Sequence, residues 1–507
     1  MFLLFSSESL YPQSIINLKM YAYNVRIVLH TILWRRKPMP VNSFEDYPMS
    51  WRPQKSRLEK PYYLSIAASL EADILSGKLP ENTKLPPQRE LADFLDLNLS
   101  TVTRAYKLCE LKGLLYAVTG RGTFVSPGTS AQNTFLEKDG GIIEMGMIKP
   151  FYESNHAVQN AAQLVLSREE SIRLFEYSSP LGTKRQINAA RKWLRRIGID
   201  AGEENILLSA GAQNALSVIL ISLFKAGDKI AVDNFTYTNF KGLANFLHIQ
   251  LIAVPADGYG MSPDGLSTIC KNTEIKGIYL MPTCSNPTSI FMPQSRRMEL
   301  VEIIKQFHLL VIEDDIYSFL SVHGPAAPDA KPFFSMVPEQ TVHICSISKS
   351  LCAGLRVAFI AFPDQYRELL VSGMLGINLK TVSLNSEIIA ELIESGDAEN
   401  IVKQKILSAR KRNQIFQSVF PSVQTDHVER FFHWLQIPAH LTSEELELLA
   451  LQKGIHVLGS HRFAMQNENK SSYVRVSIAS PDTEDDLRKG LLLLKNIFEE
   501  KQMNFFV

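Results

Sequence analysis

Six short apolar runs constrain this chain most. Between Gly141 and Phe362 the stretches KIAVDN, QLIAVP, KGIYLMP, LLVIEDD, HICSIS and VAFIAF recur, with apolar segments of four to six residues rich in Val and Ile. Amphipathic stretches such as Arg296 to His308 lie between several of them, the alternation expected of βαβ units. The expected class is therefore α/β, with a largely parallel sheet and flanking helices. Ligands of such sheets bind at the carboxyl ends of the strands. From about Glu399 the pattern changes to a long helical stretch, then strands and a closing helix, which suits a smaller C-terminal α+β subdomain.

The length of 507 residues exceeds one ordinary domain, and at roughly 150 residues per domain it suggests three folding units or two large ones. With 45% hydrophobic residues there is material for a sizeable core, so disorder cannot dominate. The formal net charge is +1, so an acidic partner must be met by a local patch and not by the field of the whole chain. Five cysteines (Cys109, Cys270, Cys284, Cys345 and Cys352) form no C-x-x-C pair and leave one over. This argues against a disulfide framework, against zinc, and for a reducing cytoplasm. Within residues 1–48 the longest apolar candidate, Val25 to Trp34, is interrupted by Arg26 and His30 and falls short of the ~18 residues of a spanning helix. Its basic cluster, Arg35 to Lys37, follows the apolar part, the reverse of a signal peptide. Residues 1–48 are expected to be a disordered extension, with no membrane anchor and the working protein starting near Met49.

From Pro61 to Pro127 the chain spells helix, helix, helix and hairpin. Leu64, Ile66, Ala67, Leu70 and Ile74 follow helical spacing, and Gly77 stops that helix. A second helix is expected from about Gln88 to Leu95, and a third from Thr101 to Leu111 with Ser100 as N-cap and Gly113 as its stop. LLYAVTGRGTFVSP then places alternating apolar residues on both sides of a Gly-Arg-Gly turn, a two-stranded wing. Residues 49–127 carry 11 Lys and Arg against 8 Asp and Glu, a local net of +3. A polar linker, 128–141, follows.

The segment LPPQRELADFLDLNLSTVTRAYKLCELKGLLYAVTGRGTFVSP resembles the GntR-type winged helix over nearly its whole length. The resemblance implies DNA binding, with the third helix in the major groove and its N-terminal residues nearest the bases. Asn98, Ser100, Thr101 and Thr103 are then the candidates at the helix entrance, with Arg89 on phosphate or a base edge and Arg121 at the wing tip reaching toward the minor groove. Leu99 stands where the family often has Arg, and Pro87 where it usually has Ser.

From roughly Glu144 onward the chain resembles the type I aminotransferase fold, with its motifs in the family's order. In SISKSLCAGLR, Lys349 matches the lysine that joins the aldehyde of pyridoxal 5'-phosphate as an aldimine. Arg356, seven residues on, matches the phosphate-binding arginine, and Ser346 the phosphate-contacting hydroxyl. LLVIEDDIYSFL brings Asp314, to pair with the protonated ring nitrogen, and Tyr317, to bond the ring hydroxyl; Asp315 is the weaker alternative for the first role. SAGAQNAL resembles the phosphate loop, with Ala212 and Gln213 at a helix N-terminus. Tyr237 matches the aromatic stacked on the ring. Asn286, in SNPTS, matches the asparagine that bonds the ring hydroxyl, with Ser289 in place of the usual Gly. Arg475, in SYVRVSIAS, matches the arginine that clamps a substrate α-carboxylate. Tyr177 matches the tyrosine that reaches the cofactor phosphate of a neighbouring subunit, which implies a homodimer.

A GntR winged helix followed by an aminotransferase-like body is the architecture of the MocR subgroup of transcriptional regulators. The expected layout is an extension at 1–48, a winged helix at 49–127, a linker at 128–141, a large cofactor domain at 142–398 and a small subdomain at 399–507. The resemblance implies a bacterial cytoplasmic regulator, at the nucleoid when bound to operator DNA, that senses pyridoxal phosphate or a small amino compound. The rival reading is a working aminotransferase with an appended DNA module, and a third is a DNA-binding repressor with a vestigial body. Sensing and transamination share their first step, so the motifs alone leave the enzyme question open.

Overall fold

The computed structural model describes residues 49–75, 78–79, 83–111, 114–118, 122–126, 141–177, 179, 181–320, 330–423, 429–465 and 472–500. The chain divides into two compact units at Phe135 and Leu136. The 1–48 extension, Gly77, Gly113, the wing tip with Arg121 and most of the 128–141 linker lie outside the described residues.

In the first unit, helices α1 (Tyr62–Leu75), α2 (Gln88–Leu95) and α3 (Leu99–Leu111) precede the strands β1 (Leu115–Val118) and β2 (Gly122–Val125). Of the helical spacing read in α1, Ile66, Ala67, Leu70 and Ile74 are buried and Leu64 is half-buried; Leu91 and Leu95 of α2 and Val102, Ala105 and Tyr106 of α3 are buried as well. The Tyr106 hydroxyl pays for its burial by donating to the Pro86 carbonyl at 2.9 Å. Helix α2 stops at Asp96, whose left-handed backbone (φ 51°) turns the chain into α3. The start of α3 differs from the sequence expectation. Its first residue is Leu99, and the Asn98 carbonyl accepts the Thr101 N–H at 2.9 Å. Asn and Ser are comparable N-cap formers; the helix begins at the earlier of the two, and Ser100 sits inside the first turn. β1 and β2 pair antiparallel from Leu115↔Val125 to Val118↔Gly122, as a wing requires.

The second unit is organised by a seven-stranded sheet. Its strands are β4 (Ile206–Ser209), β5 (Lys229–Asp233), β6 (Gln250–Val254), β7 (Gly277–Leu280), β8 (Leu310–Asp314), β9 (Thr341–Ser346) and β10 (Ala358–Ala361), after a short β3 (Ile143–Glu144) and the helices α4 (Asn155–Ser167) and α5 (Lys184–Arg196). They lie in the order β4-β10-β9-β8-β7-β5-β6. All six expected runs are strands of this sheet. β10 alone runs antiparallel to its neighbours β9 and β4, so the sheet is largely parallel. β4, ILLS, was not among the expected strands, although it is as long as β7 and β10 and buried throughout like them.

Both faces are covered, which is why the central strands are apolar runs and not alternating ones. Leu310 and Ile312 of β8 point to one side, where α6 (Ala212–Leu223) packs; Val311 points to the other, beside residues of Gln294–Phe307. The strand ends that carry Asp314 and Ser346 therefore open at one edge of a rigid, doubly covered layer.

The C-terminal block contains a long helix at Asp397–Val419, antiparallel strands β11 (Phe432–Gln436), β13 (Leu458–Gly459) and β14 (Tyr473–Ser477), and a last helix at Glu484–Glu499. Strand β12 (Ile455–His456) pairs in parallel with β3. Ile143 and Met145 thus share a core with Leu446, Val476 and Leu491, although they begin the span assigned to the large domain. The long helix serves both cores, with Ile401, Val402 and Ala409 in one and Phe416 and Val419 in the other. The break expected at 399 falls inside it.

Ile312 is fully buried in the central strand. Ile312→Ala is expected to destabilise the second unit by roughly 2–5 kcal/mol, read as a lowered urea midpoint.

Candidate cofactor site

The site is assembled at the carboxyl ends of β8 and β9 and at the start of α6. Lys349 lies in a one-turn helix, Ile347–Ser350, directly after β9, whose last residue Ser346 is its N-cap. The Lys349 amine donates to the Ile148 carbonyl. Burial, then the charges of Arg475, Lys405 and Arg356, pull its pKa down to about 7.

Beside it, Gly211 precedes α6 with a backbone (φ 87°) that a side chain would strain, and a Cβ there would meet Arg356 Nη2 at 2.6 Å. The bare glycine lets the guanidinium close over the helix N-terminus, where Ala212 and Gln213 are the first residues. Arg356 Nη1 also donates to Ser348 Oγ at 3.1 Å, and Ser346 Oγ accepts the Ser348 N–H at 3.4 Å. A guanidinium, two hydroxyls and the free N–H groups of a helix start form an anion cup.

At the end of β8, the buried Asp314 accepts the Tyr279 hydroxyl on Oδ2 at 2.8 Å. Burial raises its carboxyl to about 6, with the neighbouring Asp315 adding to the rise and Tyr279 opposing it. Asp315 is occupied elsewhere, accepting from Thr283 Oγ1 at 2.7 Å. Tyr317 is buried among Phe431, Phe432 and Phe319. Tyr237, just ahead of the helix α7 (Thr238–Phe246), lies within reach of the charges of Asp314, Arg475 and Arg356. Arg475 donates to Asn286 Oδ1 and to the Gly146 carbonyl, both at 2.6 Å, with Phe463 4.8 Å and Phe432 5.9 Å from the guanidinium. Ser289 keeps the left-handed conformation (φ 55°) of a glycine position, so the replaced residue does not abolish the turn.

Among the described residues, Asp314 Oδ1, Tyr317 Oη, Arg475 Nε and Gln213 Oε1 are buried without a hydrogen-bond partner. Such atoms are costly unless a ligand completes them. The unpaired carboxylate oxygen and phenol, with the anion cup and a depressed lysine amine, fit a phosphorylated pyridine aldehyde.

Residues 142–489 match the aminotransferase class I and II family, and residues 62–125 match the gntR family of bacterial regulatory proteins. The HTH-type transcriptional regulator YdeF of Bacillus subtilis is 39% identical over 91% of this chain and 100% of its own length. The mitochondrial kynurenine/alpha-aminoadipate aminotransferase of Rattus norvegicus is 25% identical over 65% of this chain and 84% of its own. Among solved structures, an archaeal alanine:glyoxylate aminotransferase shares the fold with a TM-score of 0.66, at 21% identity over 72% of this chain and 92% of its own. The chain belongs to the aminotransferase class I and II family, within the MocR subgroup of gntR-type regulators. Its cofactor is pyridoxal phosphate.

In this MocR-type chain Arg356 and Arg475 lie within reach of both Lys349 and Tyr237, Tyr317 and Asp314 lie within reach of Tyr237, Asn286 bonds Arg475, and Ser346, through Ser348, and the helix start at Ala212 and Gln213, through Gly211, adjoin Arg356. Tyr177 is apart from them, 93% exposed. Three contributors escaped the sequence reading. Ser348 could have been noticed in the S-x-S-K run. Tyr279 sits in an apolar strand with no local sign of its role. Lys405, on the long helix, is buried and donates to the carbonyls of Lys349 at 3.2 Å and Leu351 at 2.7 Å, a contact made across 56 residues of sequence.

Because the Lys349 amine loses its proton near pH 7 and not near 10.5, covalent capture of pyridoxal phosphate should accelerate as pH rises through about 7. Stopped-flow growth of the visible band on mixing apoprotein with cofactor measures this. Lys405→Met removes a cation that disfavours the Lys349 ammonium, so the midpoint of that profile should move up.

Proposed function

We propose that this chain is an operator-binding regulator whose cofactor body senses pyridoxal phosphate or a small amino compound. The observation that carries the reading is the pair of partnerless buried atoms, Asp314 Oδ1 and Tyr317 Oη, beside Lys349 in a chain that also bears a winged helix. Lys349 holds the cofactor covalently. Asp314 would face the ring nitrogen, Tyr317 and Asn286 the ring hydroxyl, Tyr237 the ring face, and Ala212, Gln213, Ser346 and Arg356 the phosphate. Arg475 receives the carboxylate of an amino acid effector. Bound there, the cofactor supplies an electrophilic carbon and an electron-withdrawing ring.

The exposed side of α3 includes Ser100, Thr103, Arg104 and Lys107, with Arg89 and Asn98 exposed nearby. A major-groove helix is expected to present such a face. Thr103 Oγ1 donates to Gln88 Oε1 at 2.8 Å, which fixes its rotamer. Thr101 is half-buried, so it contributes at the edge of the groove. Arg121 completes the proposed set from the wing tip.

A homodimer is supported by exposed apolar residues along one segment: Leu164, Leu166, Ile172, Phe175 and Tyr177. A two-fold pairing would cover them, let Tyr177 reach the other subunit's phosphate, and present two winged helices to paired half-sites. Effector and operator are then linked: an effector that changes DNA affinity has its own affinity changed by the same factor. No helix among the described residues is long and apolar enough to cross a membrane, which suits action in the cytoplasm.

A lysine amine poised near neutrality also suits proton transfer, so a second reading is catalysis. Turnover with amino acids on the order of 1 to 10³ per second would establish it, and slow or no turnover is expected. Footprinting on the upstream intergenic region should change when pyridoxal phosphate is added, and an unchanged footprint would sink cofactor sensing. Lys349→Ala should lose the visible band and the effector response and keep basal DNA binding. Loss of basal binding in a folded variant would make the cofactor part of the DNA-binding state itself.

A further inference from the structure

Tyr279 of β7 is buried with Asp314, and its hydroxyl takes Oδ2 of that carboxylate at 2.8 Å, leaving Oδ1 partnerless. The phenol ring is itself fixed. Phe240 of α7 stacks on it with centroids 3.9 Å apart and planes 9° apart, and Tyr237 immediately precedes that helix. One packed unit, Tyr237 with α7 through Phe240 to Tyr279 and Asp314, therefore joins the residue for the ring face to the residue for the ring nitrogen.

We infer that Tyr279 is a positioning residue for the ring-nitrogen partner: its phenol holds Asp314 in one orientation, favours the carboxylate form, and leaves a single oxygen free to face a pyridine nitrogen. The inference rests on the pyridoxal-phosphate reading of the site. The physical need is plain. A carboxylate this deeply buried tends to take up a proton, and once protonated it cannot pair with a protonated ring nitrogen. Around Asp314, Asp315 on the same strand end pushes toward protonation, whereas Tyr279 of β7 and His343 of β9 oppose it; Tyr237 and Tyr317 face it as neutral phenols whose own ionisation it disfavours. Of these groups, Tyr279 is the one that donates a hydrogen bond to it.

The test compares the full chain with Tyr279→Phe, which keeps the ring and its stack on Phe240. The probes are pyridoxal phosphate and its carbocyclic analogue with C–H in place of the ring nitrogen. Affinities for both are measured by absorbance titration between pH 5.5 and 8.5, and their ratio is taken because it cancels contributions from Lys349 and the phosphate cup. For the natural chain the preference for pyridoxal phosphate should fall as pH drops through about 6, where Asp314 gains its proton. In Tyr279→Phe the fall should begin about one pH unit higher, so that preference drops by roughly twofold at pH 7 and roughly fivefold at pH 6. Added to Asp314→Asn, Tyr279→Phe should leave the ratio where Asp314→Asn alone puts it. Equal weakening of both ligands, or a further change of the ratio in the Asp314→Asn background, would overturn the inference and leave the cofactor reading intact. Failure of the natural chain to bind either ligand would overturn both.

Discussion

A buried carboxylate must be partnered or protonated, and much of the second unit follows from how strand β8 meets that demand. Burying this strand on both faces gives the sheet its rigidity, yet it ends in Glu313-Asp314, with Asp315 next in the chain, all three almost fully buried. Each finds a different answer. Glu313 accepts the Phe333 and Phe334 N–H groups and pairs with His343. Burial alone would raise it, but the charges of His343 and Arg297 and these hydrogen bonds hold it below the usual carboxyl range. The same pair lifts His343 to about 10 against the effect of burial. Asp315 takes Thr283. Asp314 is only half satisfied, and the half left over is the one that matters for a ligand.

The opposite sign accumulates across the pocket. Lys349, Lys405, Arg356 and Arg475 converge there, and burial draws Lys349, Lys405 and Arg475 below their ordinary values, to about 7, 8 and 10. Lys405 and Arg475 spend donors on backbone carbonyls, which holds them in place without neutralising them. A dianionic phosphate and a substrate carboxylate would offset this charge better than any group the protein itself brings, so the site is balanced only with its ligands. The contacts that hold Lys349 and Arg475 run to the carbonyls of Ile148 and Gly146. Both belong to the segment after β3, which is tied through β12 to the small subdomain.

How much of this was legible in sequence depended on the distance over which each feature is encoded. The apolar runs declare strands because the sheet is covered on both sides, and the S-x-S-K run with Arg356 seven residues on declares a cofactor lysine because a tight turn and its following loop are local. Helix α2 was readable to the residue. The start of α3 was misplaced since Asn98 and Ser100 are equivalent caps by composition, and only packing chooses. β4 was overlooked although it is as long as β7 and β10; its last residue already belongs to the SAGAQNAL segment, read as a phosphate loop. The antiparallel course of β10 has no sequence signature at all.

By itself the sequence determined two units, a winged helix and an α/β body, and the identity of the residues matching the family's cofactor motifs, for these are written in short windows of spacing and residue type. Only the tertiary structure decided that Tyr279 rather than another strand residue would hold Asp314, that Lys405 would brace the Lys349 turn from a distant helix, and that Ile143 and Met145 would join the small subdomain's core. The physical reason is the same in each case. Hydrogen bonds and burial between segments far apart in the chain depend on where the sheet brings them, and no local pattern of residues records that meeting.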